Sequence, residues 1–295
     1  MGYSLRQFAT LTSIKSEHKL TASKAVGDCG LPGRVKGTSI DGGLCAGRYD
    51  RTYGMDTLQR NIHNSEIPVV CRSCEARHGG LCGVLTPDQL VELSRHSSRR
   101  KLDLGHEMLG QGEEVAYYAN ILKGVVKLSK MMSDGRQQIV GLQFAPDFLG
   151  RPFIVESSMT AEAATDVDIC SFPRRVVDRM VGDVPGMERR LHSQSLKELD
   201  EARDWMLTLG RKSAQEKVAS FLYLIATHID PENEDRSCFD LPLSRADIAD
   251  FLGLTIETVS RQMTKLRKDG VIRIENNRHI TVPDMDGLNM AAGND

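Results

Sequence analysis

The chain has 295 residues, 40% of them hydrophobic and 26% charged, with a formal net charge of −2 and seven cysteines. This balance fits a globular protein of two domains plus an extension, and it excludes a general polyanion-binding surface, so a nucleic-acid site has to be a local basic patch. No stretch reaches the ~20 apolar residues of a membrane span, and the N-terminus lacks the apolar core of a secretory signal; the expected compartment is the cytoplasm, where thiols stay reduced and clustered cysteines point to metal or redox chemistry.

Residues 1–65 are poor in large apolar side chains and rich in Gly, Ser, Thr and Lys. They are expected to form a disordered extension, with at most a short helix over 5–14. Cys29 and Cys45 lie there at no recognised ligand spacing. The stretch "CRSCEARHGGLC" follows, placing Cys71, Cys74 and Cys82 close together with Gly79 and Gly80 between them. Thiolates suit iron–sulfur or zinc. Zinc would use the same Cys-x2-Cys, with His78 able to replace one cysteine. A redox pair of Cys71 and Cys74 is a third reading. The glycines, with Gly83, would let backbone N–H groups approach cluster sulfides.

In "TPDQLVELSRHS", Thr86 reads as an N-cap and Pro87 as the first residue of a short helix. Residues 101–172 hold short β-rich runs with glycine corners. "ILKGVVKLSKMM" and "QQIVGLQF" flank "SDGR", whose Asp134-Gly135 signals a hairpin. Such strands predict an antiparallel barrel or jelly roll. Residues 186–229 turn helical. Leu199, Ala202, Met206 and Leu209 recur at the three-four-three spacing of a coiled-coil seam, which predicts a homodimer contact; the alternative is a helix packed on its own β domain. "AQEKVASFLYLIATHI" places Ala214, Val218, Phe221, Leu222 and Ile225 on one core-facing side. Cys238 is expected in a loop, as a structural thiol.

Residues 243–282 carry the clearest pattern. Ser244 caps a helix with Asp247 three residues on, an acidic capping box, and Ile248, Ala249 and Leu252 form its apolar face. Gly253 permits a sharp turn. Thr255 caps a second helix in which Val259, Met263 and Leu266 face inward, leaving Glu257, Ser260, Arg261, Thr264 and Lys265 outward. "VIRIENNRHITV" reads as two short strands joined at Asn276-Asn277. Helix, glycine turn, helix and hairpin make a winged helix-turn-helix, whose second helix enters the major groove of DNA. Arg suits guanine O6 and N7, Glu accepts from cytosine N4, and Ser serves either role. Lys265, Arg267, Lys268, Arg273 and Arg278 are candidates for phosphate contacts.

The E-x-x-S-R motif in "ETVSRQMTKLRKDGVI", with the order of parts, resembles the CRP/FNR superfamily of bacterial transcription regulators and its FNR branch, over roughly residues 68–288. The resemblance implies an α+β fold: a β-roll sensor domain of the cyclic-nucleotide-binding type, a long dimerisation helix and a C-terminal winged helix-turn-helix. The corresponding segments are 66–185 for the cysteine motif and roll, 186–212 for the helix and 213–288 for the DNA-binding domain, with a tail at 289–295. It implies a homodimer whose Glu257, Ser260 and Arg261 read a palindrome similar to TTGAT-N4-ATCAA, and which recruits RNA polymerase to activate, or at some promoters repress, genes of low-oxygen metabolism or nitrogen fixation. The cysteine spacing resembles the FixK/FnrN type. In that branch a distant β-roll cysteine, here Cys170, completes an oxygen-labile 4Fe-4S cluster. Cyclic-nucleotide relatives carry an Arg-Ser pair where Met159-Thr160 stands here, so cyclic AMP binding is not expected, although another small ligand is a minor alternative. No G-x-G-x-x-G, P-loop or G-x-S-x-G motif supports an enzyme.

Overall fold

The computed structural model describes residues 67–229 and 238–294. The predicted extension, with Cys29, Cys45 and the short helix expected over 5–14, lies outside them. Short helices α1 (Val69–Arg72) and α2 (Glu75–Gly79) and a 3-10 turn (Leu81–Val84) lead into α3 (Pro87–Arg95). Thr86 caps α3 as expected, and Gln89 makes the cap reciprocal: Thr86 Oγ1 accepts from Gln89 N at 3.4 Å and Gln89 Oε1 from Thr86 N at 2.9 Å.

The roll consists of β1 (Ser98–Leu102), β2 (Glu107–Leu109), β3 (Tyr117–Lys123), β4 (Val125–Met131), β5 (Gln137–Phe144), β6 (Phe148–Leu149), β7 (Thr160–Ala163) and β8 (Val167–Pro173). They form two four-stranded sheets, ordered β1-β8-β3-β6 and β2-β7-β4-β5, with antiparallel pairing throughout. The jelly roll read from the sequence is therefore present. Ile121, Val126, Ala161, Ala163, Val167 and Ile169 fill the space between the sheets, as facing layers of inward side chains do. Gly124, at φ +90°, breaks "ILKGVVKLSKMM" into β3 and β4; a β-carbon there would strike the Asp166 carbonyl, so only glycine turns this corner. β4 and β5 form the expected hairpin, with Asp134 Oδ1 accepting from Arg136 N at 3.1 Å in its turn.

Three helices follow: α4 (Arg174–Asp183), α5 (Pro185–Arg211) and α6 (Ala214–His228). The first was not expected. It lacks a side-chain cap and buries only Val177, Met180 and Val181, a short stripe in an arginine-rich run. Asp178 anchors it, accepting from Tyr118 Oη at 3.0 Å and Arg174 Nε at 3.1 Å. α6 buries Val218, Phe221, Leu222 and Ile225 as predicted, at about 1.5–3 kcal/mol for each large apolar side chain.

The C-terminal module contains β9 (Cys238–Asp240), α7 (Arg245–Leu252), α8 (Ile256–Lys268), β10 (Arg273–Glu275), β11 (His279–Thr281) and α9 (Met285–Ala291). Two expectations are corrected. Cys238 opens a strand rather than sitting in a loop: β9 pairs with β11, Cys238 opposite Thr281, and three residues are too few to display alternation. The expected tail at 289–295 is not a separate segment, because α9 lies on α6 and buries Leu288 and Ala292. The roll and this module share a core: Val125, Ile139, Phe144 and Ala164 join the apolar cluster of α6, α7 and α8. Beside it, Lys127 Nζ lies 2.9 Å from Glu162 of the roll and 3.1 Å from Asp247 of α7. Burial alone would lower the ammonium's pKa, but the two carboxylates outweigh it and hold Lys127 above its ordinary value.

Candidate metal centre and nucleic-acid interface

Four cysteines from two remote segments line one small cleft: Cys71 in α1, Cys74 at the N-cap of α2, Cys82 in the 3-10 turn and Cys170 in β8. The turn that carries Cys82 packs tightly. A β-carbon on Gly79 would lie 2.8 Å from Pro146 Cγ, and one on Gly80 3.0 Å from the Pro146 carbonyl. Close packing on the Ala145–Pro146 turn is thus what these glycines provide. Sheet register places Cys170: Arg99 of β1 and Asn120 of β3 are its cross-strand partners. Arg99, Asn120 and Arg77 also line the cleft, with Val70, Leu90, Leu93 and Phe172 as its apolar wall.

Burial dominates the electrostatics of the cleft. Burial pushes the Cys82 thiol up to about 12; a hydrogen bond from Asn120 opposes this, and Cys74, Cys170 and Cys71 add to it. Burial raises Cys170 to about 11, against a hydrogen bond from Ser97. Cys71 is raised by burial and then by Cys74, while Arg99 and Arg77 pull the other way. A bound metal centre would supply the positive charge that favours thiolates in such a buried setting. The donor set, soft sulfur only, fits an iron–sulfur cluster. His78 is exposed and does not line the cleft, so it does not replace a cysteine there. The four thiols line the same cleft, although among the described residues no group of three His, Cys, Asp or Glu side chains is gathered tightly enough to hold a metal ion as they stand.

Asn120 escaped the sequence reading. It is 1% exposed, and its Nδ2 donates to Cys82 Sγ at 3.3 Å. β3 is buried on both faces over Tyr118–Ile121, so "YYANILK" gave no alternation from which to place it.

The roll also encloses a cavity of about 350 Å³, lined by Arg151, Met159 and Glu198 among others. Met159, set by the resemblance where cyclic-nucleotide relatives are expected to carry arginine, lines this cavity. Arg151 is nearby, its Nη1 donating to Ser158 Oγ at 3.3 Å.

The second helix of the DNA-binding module is built as expected. Thr255 Oγ1 accepts from Thr258 N at 3.2 Å to cap α8, Val259, Met263 and Leu266 are buried, and Gly253 sits at φ +61° between the helices. Glu257, Ser260, Arg261 and Lys265 are exposed, and Thr264 is half-buried, its hydroxyl donating to the Ser260 carbonyl at 2.9 Å. Backbone and Thr255 hydrogen bonds lower the Glu257 pKa, which keeps it an acceptor. Lys265, Arg267 and Lys268 end the helix. In the wing, Asn276 and Asn277 both take positive φ, as a tight hairpin turn demands. Arg278, read as a phosphate contact, donates through Nε to the Leu241 carbonyl at 2.9 Å, which turns part of its guanidinium inward.

On α5, Leu199 and Met206 are 44% and 72% exposed. Ala202 is exposed and Leu209 half-buried. Trp205 faces inward instead, meeting Phe251 of α7 with ring centroids 4.6 Å apart. The apolar stripe therefore points away from the chain's own roll.

The model of the Crp-like helix-turn-helix domain matches residues 216–291, and that of the cyclic nucleotide-binding domain matches residues 99–183. A "Probable transcriptional activator" of Rhizobium leguminosarum bv. viciae is 64% identical over 234 residues, which is 79% of this chain and 98% of the relative. The chain belongs to the CRP/FNR family of transcription regulators. The transcriptional activator protein FnrL of Cereibacter sphaeroides is 39% identical over 78% of this chain and 96% of its own. The solved structure of FixK2 from Bradyrhizobium japonicum is 31% identical, with a TM-score of 0.61, and covers 66% of this chain and 96% of its own. The CRP/FNR relatives regulate transcription and are not enzymes, and this member is a DNA-binding transcriptional activator of the FNR/FixK type. No helix among the described residues is long and apolar enough to cross a membrane.

Proposed function

We propose that the protein is an oxygen-responsive activator in which Cys71, Cys74, Cys82 and Cys170 hold a 4Fe-4S cluster that supports a DNA-binding homodimer at low oxygen. The observation that carries this reading is the convergence of these four thiols, and no histidine, on one cleft in an FNR/FixK-type regulator. Bound there, the cluster supplies an oxygen-labile link between the 71–82 loop and β8.

The chain's own residues carry that link onward. Arg190 of α5 donates to the Gly79 carbonyl, and Gly186 at the start of α5 lies beside Val84, where a β-carbon would be 3.4 Å from Val84 Cβ. Gln194 Nε2 donates to the Phe148 carbonyl of β6 at 3.3 Å. The position of the cysteine loop is thereby imposed on α5. With α5 in place, Leu199, Ala202, Met206 and Leu209 pair with a second copy. Trp205 passes the same constraint from α5 to α7, and the Lys127 bridge ties the roll to α7 as well. Two recognition helices then stand about one helical turn apart, the spacing of palindromic half-sites, and Glu257, Ser260 and Arg261 read a TTGAT-N4-ATCAA-like sequence. The bound dimer recruits RNA polymerase at genes of low-oxygen metabolism or nitrogen fixation. Without that link the 71–82 loop would come free of β8, the α5 pair would loosen and DNA would be released, an interface equilibrium biased by a remote ligand.

Anaerobic purification with iron and acid-labile sulfide analysis tests the centre. Brown protein with near-equal iron and sulfide that bleaches in air is expected; a colourless protein containing zinc overturns it.

A further inference from the structure

We propose that Asn120 sets the oxygen lability of the centre by donating its amide hydrogen to the Cys82 sulfur. The inference rests on the cluster reading above and assigns a tuning residue within it.

Asn120 is buried in β3, opposite Cys170 in the sheet, and reaches Cys82 with Nδ2 at 3.3 Å. Its Oδ1 is also buried and has no hydrogen-bond partner among the described residues. An amide held in a core with half its capacity unmet is a poor stabiliser, because the orphaned carbonyl has lost its water. A leucine of similar size would fill the space without that loss. What the amide offers and leucine cannot is a donor to sulfur. Either end of an amide can face a protonated thiol, but a thiolate has no hydrogen to give and accepts only the N–H. The orientation found is the one a ligated Cys82 requires.

A hydrogen bond to a ligand sulfur draws electron density from the metal core, favours its more reduced state and raises its potential. Decay in air begins when an electron passes from the iron–sulfur core to dioxygen, which becomes superoxide. The Asn120 contact makes that electron harder to remove. It holds the centre in an intermediate range, where it survives low oxygen and fails in air.

The test compares anaerobically purified wild type, Asn120→Leu and the control Ser171→Ala. Ser171 is the neighbouring buried polar residue of β8, and its hydroxyl donates to the Ser98 carbonyl at 3.1 Å, not to a cysteine. Iron and sulfide content, bleaching rate in air-saturated buffer, midpoint potential and melting temperature are measured for each. Asn120→Leu is expected to keep the wild-type iron content and melt no lower, yet bleach roughly 10-fold faster at a lowered potential, while Ser171→Ala bleaches as wild type does. If Asn120→Leu alone fails to hold the cluster, the amide is required for assembly and not for setting lability, and the proposal is overturned. Unchanged potential and bleaching in a brown Asn120→Leu protein overturn the proposal and leave the cluster reading intact, as does equal loss in both variants. A wild type without iron overturns the cluster reading itself, and the proposal with it.

Discussion

Cys170 bears the most weight among single residues, because it is the cysteine that the roll contributes to the cleft with the 71–82 loop. Cys170→Ser replaces a soft ligand by a hydroxyl that iron–sulfur centres seldom accept. Anaerobic protein carrying it should contain little iron and run as a monomer; a brown dimeric variant removes Cys170 from the ligand set. Arg261 makes a different kind of prediction. It is exposed on α8, its Nη2 3.5 Å from Thr258 Oγ1, and on the proposed reading it contacts guanine through two hydrogen bonds. Arg261→Ala should lose about 1–3 kcal/mol chiefly at one base pair of each half-site, measured by binding to operators altered one position at a time. A uniform loss across all operators would mean that it touches only phosphate. Residues of this kind were legible in the sequence because the 3.6-residue period of α8 fixes which side chains turn outward once Val259, Met263 and Leu266 turn in. Cys170 was legible only through resemblance: its meeting with Cys71–Cys82 depends on long-range sheet register, which no local pattern encodes. Asn120 was not legible, since a strand buried on both faces has no alternation to mark the side that meets the cysteines.

Among elements, α5 and the bridge to α7 decide how the sensor reaches DNA. The exposed stripe of Leu199, Ala202 and Met206 should tolerate no charge if a second copy covers it. Met206→Glu is expected to leave iron content unchanged while sedimentation shows a monomer even without oxygen; a dimer with wild-type affinity would place the seam elsewhere. Lys127 lies between Glu162 and Asp247 with its side chain 13% exposed. Removing its charge strands two carboxylates, so Lys127→Met should cost about 2 kcal/mol, between a surface pair and a fully buried one. A lowered unfolding midpoint checks this, and an unchanged one assigns the pair no role in joining roll to helix-turn-helix. Long periodic or strongly capped elements were readable from the sequence: α3, α5, α6, α7, α8 and the β4–β5 hairpin. Of the missed ones, α4 has no side-chain cap, while β9 and α9 are short and form because a neighbour covers them: α9 lies on α6, and β9 on β11.

The whole molecule is a chain of contacts from a thiol-lined cleft to an exposed recognition helix. It runs through the Gly79 carbonyl and Arg190 to α5 and through Trp205 to α7, while Lys127 of β4 ties the roll to α7 directly. The order of modules was legible in the sequence because each carries its own period or turn chemistry. The path between them was not, since every step joins residues far apart in sequence. The most direct test is a titration of the palindromic operator with one anaerobic preparation, before and after brief exposure to air. The account predicts tight binding by a dimer that falls by roughly 10³-fold or more as the visible absorbance is lost, towards the level of non-specific DNA. Equal operator affinity in bleached and unbleached protein would contradict it.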